Sequence, residues 1–556
     1  MPVKTILREM YRMLTGMMMN RPLLISSLID FAGEVYGTIP MVSQTVEGGI
    51  HRHTYADAKS RIAKLANALI AMGVKPGDRV ATLAWNGYRH FELYDAISGI
   101  GAVCHTINPR LSVEQFVYVV NHAEDTALFF DTTFLPLVEK LKAHWKPIKN
   151  YVAMTDAAHM PEAPGYLCYE ALIAPASDQI VWPEFAEETA AALCYTSGTT
   201  GDPKGSLYSH RSTVLHALYS LASINIAFGP GRSILPVVPL FHVNAWGLPY
   251  SSAITGTSLI FPGPKLDGPS LFELMELEHV SGSWGVPTVW MGLLAEMKKR
   301  GRKPVGLKHV LIGGSAVPKP MIETFERDYG ITVLQGWGMT EMSPLGTVSH
   351  LLPSEEDLEF NERVELKAKA GRRVYGVELK LVDEEGKRLP HDDVASGELF
   401  VRGNAIVSGY FNNEAASMQA LDKEGWFATG DVARLSANGI LTIVDRTKDL
   451  VKSGGEWISS IDVENAAMAV PGIANCAIIG LPHPKWTERP VLVAVKAPGA
   501  NPTKEEINAA LDSKLAKWQL PDDVIFVEAL PIGPTGKVSK RDLRAKFADY
   551  KLPDAG

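Results

Sequence analysis

The sequence predicts an α/β protein, with a large domain of layered, mostly parallel sheets covered by helices and a small, mobile α+β domain after it. Three observations predict this fold. From about residue 55 to 450, short apolar runs alternate with helical patterns, as in parallel sheets whose faces carry helices. The pattern changes near residue 448, where a tail of roughly 100 residues begins. At 556 residues, the chain also exceeds one ordinary hydrophobic core.

The first helices and strands are predicted over residues 55–108. The segment YADAKSRIAKLANALIAMG (55–73) repeats apolar residues at helical spacing and ends at Gly73, a typical C-cap residue. A strand is predicted over 78–86, followed by a helix and a second strand over 101–108. Ligands bind at the carboxyl ends of the strands in such sheets, so we expect the site in the loops that follow strands.

The later elements follow the same pattern before it changes. Apolar runs that end in small or turn residues are predicted to be strands: ALFFD, AALCYTSG, SLIFPG, GSWGVPTV, KHVLIGG and TVLQGWG. Over 371–445, shorter segments with Gly and Asp turns predict a small antiparallel β region in the large domain. We therefore expect an N-terminal arm over 1–37, a large domain over 38–447 and a small domain over 448–556.

Charge and cysteine content exclude several classes of protein. The net charge of −8 and the pI of about 6.0 argue against a nucleic-acid-binding protein, which needs a basic face for the phosphate backbone. The four cysteines are scattered and form no CxxC pair, which argues against a disulfide framework and a zinc site. We expect buried thiols in a reducing compartment, and hence a cytoplasmic protein.

The N-terminal arm is rich in methionine, but charged residues interrupt its apolar runs. These runs stay well below the roughly 20 residues that a membrane-spanning helix needs. We expect an amphipathic helix that docks on the body of the protein or on a partner subunit. A peripheral membrane contact is the alternative. The interrupting residues are Lys4, Arg8, Glu9, Arg12 and Arg21.

The loop YTSGTTGDPKG (195–205) follows a predicted strand and combines hydroxyls, glycines and one lysine. Its backbone N–H groups and hydroxyls suit an anion-binding nest, and its lysine supplies a positive charge. The order differs from the Walker pattern, in which Gly-Lys precedes Ser or Thr. A solvated turn is the alternative for a short segment of this composition. The candidate anion-binding residues are Thr196, Ser197, Gly198, Thr199, Thr200 and Lys204.

Six further segments carry a family resemblance. Together with the loop, they resemble the adenylate-forming (AMP-binding, or acyl-CoA synthetase) superfamily, which activates carboxylic acids with ATP. Details such as FHVNAWGLPY and SGGEWISS resemble medium- and long-chain fatty acyl-CoA synthetases, and equally the related methylmercaptopropionate-CoA ligases. The segments are PLFHVNAWG (239–247), GGSA (313–316), QGWGMTE (335–341), TGD (429–431), DRTKDLVKSGGEWIS (445–459) and PTGKVSK (534–540).

The resemblance implies an AMP-forming acid–thiol ligase that works in two steps. A carboxylate and ATP would give acyl-AMP and pyrophosphate, and the thiol of coenzyme A would then give acyl-CoA and AMP, with Mg²⁺ as cofactor. A medium- or long-chain fatty acid is the expected substrate, and a homodimer is expected because related long-chain enzymes pair through N-terminal segments. The reaction accounts for the non-Walker loop, because attack at the α-phosphorus only requires the loop to hold and release pyrophosphate.

The resemblance also implies individual catalytic roles. Glu341 and Thr196 are expected to bind Mg²⁺, and Thr340 to contact the α-phosphate. Lys537 is expected to bind the carboxylate and the α-phosphate in the first step, and to leave when the small domain rotates about the hinge residue Lys448. Further residues expected at the ATP or AMP site are Gly314, Ser315, Ala316, Gln335, Gly336, Trp337, Gly338, Asp431, Arg446 and Lys452.

Two of these positions carry more specific expectations. Asp431 is the expected acceptor for the ribose hydroxyls, with Arg446 as a second ribose contact. Trp337 occupies a place where the family usually has Tyr. We therefore expect it to keep the stacking on adenine but to lose the hydrogen bond that a hydroxyl would make.

The acid and coenzyme A sites follow from the same resemblance. His242, also a catalytic candidate, and Trp246 are expected to frame the acyl channel, with Trp246 as a gate. Trp284 precedes Gly285 in the channel wall, and it would shorten the channel if its side chain points inward. An amino acid is disfavoured as substrate, because no Asp lies near His242 to hold an ammonium group. The expected coenzyme A contacts are Gly454, Gly455 and Trp457, with Lys452 beside them.

Three alternatives stay open on the sequence. Within the ligases, the acid could be short or a thioether such as 3-methylmercaptopropionate. The final acceptor could be a carrier protein instead of coenzyme A. A nucleotide-binding or acyl-binding protein without catalysis is the third alternative. The presence of Lys204, Glu341, Asp431 and Lys537 argues against it, since a protein without catalysis has no need of all four.

Overall fold

A computed structural model describes residues 16–196, 202–453, 456–533 and 537–553. The described strands form three sheets. The strands are β1 (Pro40–Gln44), β2 (Ile50–Thr54), β3 (Arg79–Leu83), β4 (Val103–Thr106), β5 (Asp125–Phe130), β6 (Asn150–Ala153), β7 (Leu167–Cys168), β8 (Ala190–Tyr195), β9 (Gly205–Ser209), β10 (Ser233–Pro236), β11 (Ser258–Phe261), β12 (Gly282–Gly285), β13 (His309–Gly313), β14 (Thr332–Gly338), β15 (Leu345–Val348), β16 (Gly371–Arg373), β17 (Val377–Val382), β18 (Gly397–Gly403), β19 (Phe427–Leu435), β20 (Ile440–Arg446), β21 (Val451–Ser453), β22 (Glu456–Ile458), β23 (Ile473–His483), β24 (Thr487–Lys496) and β25 (Asp523–Phe526).

Helices connect most of these strands, and the predicted first helix begins where its sequence suggests. The side chains of Thr54 and Asp57 form a capping box at its N-terminal end. The α-helices are α1 (Ser26–Val35), α2 (Tyr55–Ala71), α3 (Tyr88–Gly99), α4 (Val113–Ala123), α5 (Leu135–Leu141), α6 (Tyr169–Ile173), α7 (His210–Ser223), α8 (Leu248–Thr255), α9 (Gly268–Leu277), α10 (Pro287–Arg300), α11 (Lys319–Glu323), α12 (Pro353–Glu356), α13 (Phe360–Lys367), α14 (Glu414–Ala420), α15 (Ser460–Met468), α16 (Lys504–Asp512) and α17 (Lys540–Lys546).

The largest sheet has 13 strands in the order β17-β18-β19-β20-β16-β15-β14-β13-β12-β10-β11-β1-β2. Strands β10 to β14 pair in parallel, as the alternating pattern predicts. The predicted antiparallel region forms β16 to β20. It joins the parallel strands through β15 in one continuous sheet, so the residues at the ends of β19 and β20 come close to the carboxyl ends of β13 and β14.

The second large sheet has seven strands in the order β7-β6-β5-β3-β4-β8-β9 and is parallel except for the β8–β9 pair. The C-terminal sheet has the order β22-β21-β24-β23, with β25 added to β24. Both large sheets and the smaller C-terminal sheet agree with the predicted fold class.

The largest apolar cluster joins the two large sheets through helices that pack between them. It contains residues of β3 and β4 from one sheet and of β13 and β14 from the other. Helix α3 is buried along all 12 of its residues, so it packs on every side. A helix without a polar face needs such surroundings. This packing fixes the strand ends on which the candidate site is built.

Two features outside the core bear on the remaining expectations. Cys104, Cys194 and Cys476 are buried free thiols, and Cys168 is half-buried. No helix within the described ranges combines the length and the apolar character needed to cross a membrane. Residues 1–15 of the N-terminal arm lie outside the described residues, and the arm continues through α1.

Candidate active site

A cavity of about 1660 Å³ lies at the carboxyl ends of the central parallel strands, between the large sheets and the C-terminal sheet. It brings together most of the residues that the sequence suggested. The predicted residues in its lining are Thr196, Lys204, His242, Trp246, Trp284, Gly314, Ser315, Ala316, Gln335, Gly336, Trp337, Gly338, Thr340, Glu341, Asp431, Arg446, Lys448 and Lys537.

Other predicted residues are placed elsewhere or lie outside the described residues. Gly285 does not line the cavity; a side chain at this position would meet the ring of Trp290, 2.8 Å away, on the opposite face of the sheet. Lys452 and Trp457 lie on the β21–β22 hairpin, where the lysine Nζ is 4.7 Å from the centre of the indole ring. Both are exposed. The residues outside the described ranges are Ser197, Gly198, Thr199, Thr200, Gly454 and Gly455.

Asp431 is a buried, doubly bonded carboxylate in the lining of the cavity. It is 2% exposed, and its two oxygens have different partners. The indole N–H of Trp337 donates to Oδ2 at 2.9 Å, and Nε of Arg446 lies 2.7 Å from Oδ1. Trp337 therefore has a polar partner that the sequence did not suggest. Burial raises the pKa of Asp431, while Arg446 opposes that rise, so the ion pair favours the charged form.

Lys537 reaches this cavity from the segment that precedes α17. Its Cε would lie only 3.3 Å from a side chain at Gly314, whose φ of +86° also favours glycine. Burial and the nearby Arg446 lower the pKa of Lys537 to about 8, and Asp431 opposes the shift. Below that pH the side chain carries an ammonium group, and the backbone at Gly314 leaves room for it, so the charge is placed where it can bind an anion.

Glu341 also lines the cavity, in a short 3₁₀ turn after β14. It is 6% exposed, and burial raises its pKa, while the hydrogen bond from Tyr410 opposes the rise. The hydroxyl of Tyr208 donates to the carbonyl of Thr340 at 2.6 Å and so fixes the same turn. The carboxylate is therefore held at a defined place in the wall of the cavity.

Tyr410 is a site residue that sequence reasoning missed. Its hydroxyl donates to Oε1 of Glu341 at 2.8 Å, and the Nζ of Lys204 lies 5.0 Å from the centre of its ring. The ring thus connects the lysine of the 195–205 loop to the buried carboxylate. The one sequence feature that could have indicated this residue is the segment SGYFN after β18. That segment reaches the 195–205 loop through the bridge between Gly205 and Phe411.

A backbone hydrogen bond joins the two ends of the 195–205 loop. The N–H of Thr196 donates to the carbonyl of Lys204 at 2.9 Å, which continues the β8–β9 pairing by one bond. Both ends therefore project from a rigid pair of strands. This arrangement places the hydroxyl of Thr196 and the ammonium group of Lys204 in the lining of one cavity.

The residues present suit Mg²⁺ bound together with a nucleotide. Within the described ranges, no group of three or more His, Cys, Asp and Glu side chains could hold a metal ion. Mg²⁺ at nucleotide sites usually takes one or two carboxylates and completes its shell with phosphate oxygens and water. The buried carboxylate of Glu341 and the hydroxyl of Thr196 are hard oxygen donors of that kind.

An unusual turn lies on the side of the cavity where the sequence predicts the channel for the acyl chain. Val243, Asn244, Ala245 and Trp246 all have left-handed φ values, between 47° and 57°, and Gly247 follows at 79°. Left-handed helical backbone costs roughly 1–2 kcal/mol for each non-glycine residue. Such strain persists where the surroundings fix it, and it is concentrated at functional sites. The turn presses the ring of Trp246 against Gly313, where a side chain would lie 3.0 Å from Cη2.

His242 begins this turn and remains neutral at neutral pH. Burial lowers its pKa to about 4, and the positive charge of Lys537 adds to the shift. A neutral imidazole beside an ammonium group can donate or accept a hydrogen bond without adding charge. The side chain therefore suits a polar contact with the head of a bound acid.

Comparisons with known proteins agree with this geometry. The model of the AMP-binding enzyme family matches residues 34–411, and that of the AMP-binding enzyme C-terminal domain matches residues 462–537. The 3-methylmercaptopropionyl-CoA ligase of Ruegeria lacuscaerulensis is 49% identical over 536 residues, which cover 96% of this chain and 99% of that protein. The medium-chain-fatty-acid–CoA ligase of Ectopseudomonas oleovorans is 47% identical and covers 97% and 98%.

Comparison with solved structures also supports this fold. The crystal structure of ATP-bound MatB from Rhodopseudomonas palustris matches with a TM-score of 0.81 at 26% identity, covering 95% of this chain and 100% of that one. One family model covers more than half of the chain, and the two relatives are nearly half identical over almost its whole length. The protein therefore belongs to the AMP-binding enzyme family.

Proposed function

We propose that the protein is an ATP-dependent acid–CoA ligase that forms AMP and works through an acyl-adenylate. One observation carries the proposal. A single cavity holds the ammonium group of Lys537, the ion pair of Asp431 and Arg446, and the buried carboxylate of Glu341. This is the set of charges that a carboxylate, a ribose and a metal-bound triphosphate require.

In the first step, an oxygen of the acid attacks the α-phosphorus and the bond to pyrophosphate breaks. Lys537 binds the carboxylate and an α-phosphate oxygen, and its positive charge offsets the charge that builds up in the transition state. Lys204 holds the pyrophosphate end as a point charge. Asp431 accepts the ribose hydroxyls, with Trp337 against the adenine. Glu341 and Thr196 would hold Mg²⁺, which would neutralise charge on the phosphates when bound.

In the second step, the thiol sulfur of coenzyme A bonds to the acyl carbon, the bond to AMP breaks and the thiol proton is released. We expect Lys537 to leave the cavity for this step through rotation about Lys448. The hairpin that carries Lys452 and Trp457 then replaces it. This exchange is supported by the present position of the hairpin, where the Trp457 side chain is 40% exposed and lies outside the cavity lining.

The acid is proposed to carry an apolar chain. The acid side of the cavity is lined by apolar side chains, which include Val238, Trp246, Trp284, Val286 and Leu311. From the sequence alone, a medium- or long-chain fatty acid is predicted, with a thioether acid as the alternative. The relatives include a ligase named for each of these two classes, so the family alone does not choose between them.

The proposed function is tested by incubating the protein with ATP, Mg²⁺, coenzyme A and a panel of fatty, aryl and thioether acids. We expect pyrophosphate release that depends on the acid, together with an acyl-CoA product. Pyrophosphate release without a thioester would indicate a carrier protein as the acceptor. Absence of both with every acid would refute the proposal.

The Tyr410→Phe variant tests the link between the loop and the metal site. Loss of the hydroxyl leaves the ring under Lys204 but removes the hydrogen bond to Glu341, so we expect the Mg²⁺ concentration for half-maximal adenylation to rise by about tenfold or more. A hydrogen bond to a charged group contributes about 1.5–3 kcal/mol. The direct readout is calorimetric binding of ATP with and without Mg²⁺. Equal affinities for Mg·ATP in the wild type and the variant would contradict this role.

We also propose that residues 1–37 form a dimer contact. The described part of this arm supports it, because Met17, Met18 and Met19 are 95%, 87% and 91% exposed. Three adjacent exposed methionines are unfavourable in water unless another surface covers them. Sedimentation of the full chain beside a variant that lacks residues 1–19 measures this directly.

A further inference from the structure

Trp284 lies in β12, at the acid side of the cavity. Its backbone pairs with Pro236 of β10 and Leu311 of β13. The side chain is 2% exposed, yet it contributes to the cavity lining. Its ring packs edge-on against Phe228, with 5.6 Å between ring centres. The indole is therefore packed inside the protein at the inner end of the cavity and does not project into solvent.

The face on which Trp284 lies follows from strand alternation. Gly285, the next residue, faces Trp290 and the helices on the outer side of the sheet. Trp284 consequently faces the inner side, where it belongs to the same apolar cluster as Leu311. Trp246 packs on this inner face as well, against Gly313. The two tryptophans thus border one path that leads down from the reactive centre.

The depth of Trp284 follows from the register of the strands. Val286 lies beside Gly314 and Lys537, since a side chain at Gly314 would be 3.2 Å from the Cγ1 of Val286 and 3.3 Å from the Cε of Lys537. Trp284 precedes Val286 by two residues, which is about 7 Å along a strand. An acid whose carboxylate lies at Lys537 therefore reaches the indole after a chain of roughly five or six carbons.

Trp284 is held more firmly than Trp246. Its carbonyl accepts hydrogen bonds from the N–H groups of both Val237 (3.0 Å) and Val238 (2.9 Å), which fix the end of β12. Phe228 also packs edge-on against the ring. Trp246, by contrast, is only partly buried and lies in the left-handed turn. Trp284 is therefore a rigid side chain at the inner end of the proposed acyl channel, whereas Trp246 lines the channel nearer the reactive centre.

We propose that Trp284 is the residue that limits the length of the acid, and that the substrate class is short, unbranched acids of up to about six chain atoms, including thioether acids of that length. This inference rests on the proposed ligase function and narrows it. It favours the short-acid alternative over the medium- or long-chain acid expected from the sequence. A pocket closed by a rigid ring discriminates by steric exclusion, which is sharper than the loss of one apolar contact.

The test compares kcat/KM for a homologous series of straight-chain acids between the wild type and Trp284→Ala. The wild type should lose about 10- to 200-fold for each methylene beyond the limit. In Trp284→Ala the optimum should move by several carbons, with a gain of about 100-fold or more for an eight-carbon acid. Equal chain-length profiles for the two proteins, or wild-type activity that stays high up to sixteen carbons, would overturn the inference.

Two further variants keep the test decisive if Trp284→Ala folds poorly. Trp284→Leu and Trp284→Phe remove less of the ring, and each should shift the optimum by a smaller step. Trp290→Phe is the matched control, because Trp290 is equally buried but lies on the outer face of the same sheet. It should lower the melting temperature without moving the chain-length optimum. A wild type that releases no pyrophosphate and forms no thioester with any acid would refute the ligase function itself, an outcome distinct from a chain-length profile that does not shift.

Discussion

Replacement of Lys537 by alanine is expected to abolish most of the first half-reaction while sparing the second. Acyl-AMP formation should fall by about 10²–10³-fold, the usual effect of removing one preorganised group that stabilises transition-state charge. Conversion of supplied acyl-AMP to acyl-CoA should change by less than about tenfold, because the lysine is not expected at the site in that step. Acid-dependent pyrophosphate release and single-turnover thioester formation measure the two half-reactions separately.

The pH dependence of adenylation gives the same lysine a second test. Burial lowers its pKa to about 8, so the ammonium form predominates below that pH and is lost as the pH rises through it. Adenylation should therefore decline above about pH 8, whereas thioester formation should lack this limb. In Lys537→Arg the decline should disappear, because guanidinium stays charged over the whole range.

Lys551→Ala provides the control for these experiments, since Lys551 is exposed in the C-terminal segment and takes no part in the cavity. Its two half-reactions and its pH profile should match those of the wild type. Equal losses in both half-reactions of Lys537→Ala would contradict a role confined to adenylation. They would indicate that the lysine supports the fold of the cavity instead.

The parts of the fold that local pattern determines could be predicted from the sequence. Helix α2 and strands β3 and β4 lie where periodicity and turn residues place them, because each signal is contained within about 20 residues. The joining of the antiparallel strands to the parallel sheet was not predictable in this way. It depends on β15 pairing with both β14 and β16, and pairing between separate segments leaves no local signature.

In the candidate site, too, local sequence pattern was not enough to predict the features that depend on distant parts of the chain. Lys537 and Asp431 were suggested only by resemblance, since a lysine or an aspartate in a turn is usually solvated. The orientation of Trp284 could not be read from GSWGVP, because a shift of one residue in strand register reverses the face of every side chain. The left-handed turn over 243–246 was likewise hidden, since valine and tryptophan rarely adopt positive φ.

Replacement of Glu341 by glutamine is the second change with a large expected effect. Glutamine keeps the size of the side chain and an oxygen that accepts the hydrogen bond from Tyr410, but it removes the negative charge. Loss of that charge weakens the proposed metal site, so Mg²⁺-dependent adenylation should fall by about 10²-fold or more. The calorimetric affinity for Mg·ATP should fall, whereas the affinity for ATP without metal should stay the same or rise, because a buried carboxylate repels the triphosphate.

Glu365→Gln is the matched control for this change, because Glu365 also lines the cavity but lies at its outer edge, paired with Lys319 at 2.5 Å. An exposed ion pair of this kind contributes about 0–1 kcal/mol, so its loss should leave the affinity for Mg·ATP unchanged. Adenylation by Glu341→Gln at the wild-type rate, with an unaltered Mg²⁺ dependence, would show that the buried carboxylate only holds Tyr410. Mg²⁺ would then be bound by the phosphates and the hydroxyl of Thr196. Of the Tyr410 hydroxyl and the Glu341 carboxylate, the hydroxyl would be the more important for adenylation. The comparison of Glu341→Gln with Tyr410→Phe therefore separates the charge of the carboxylate from its position.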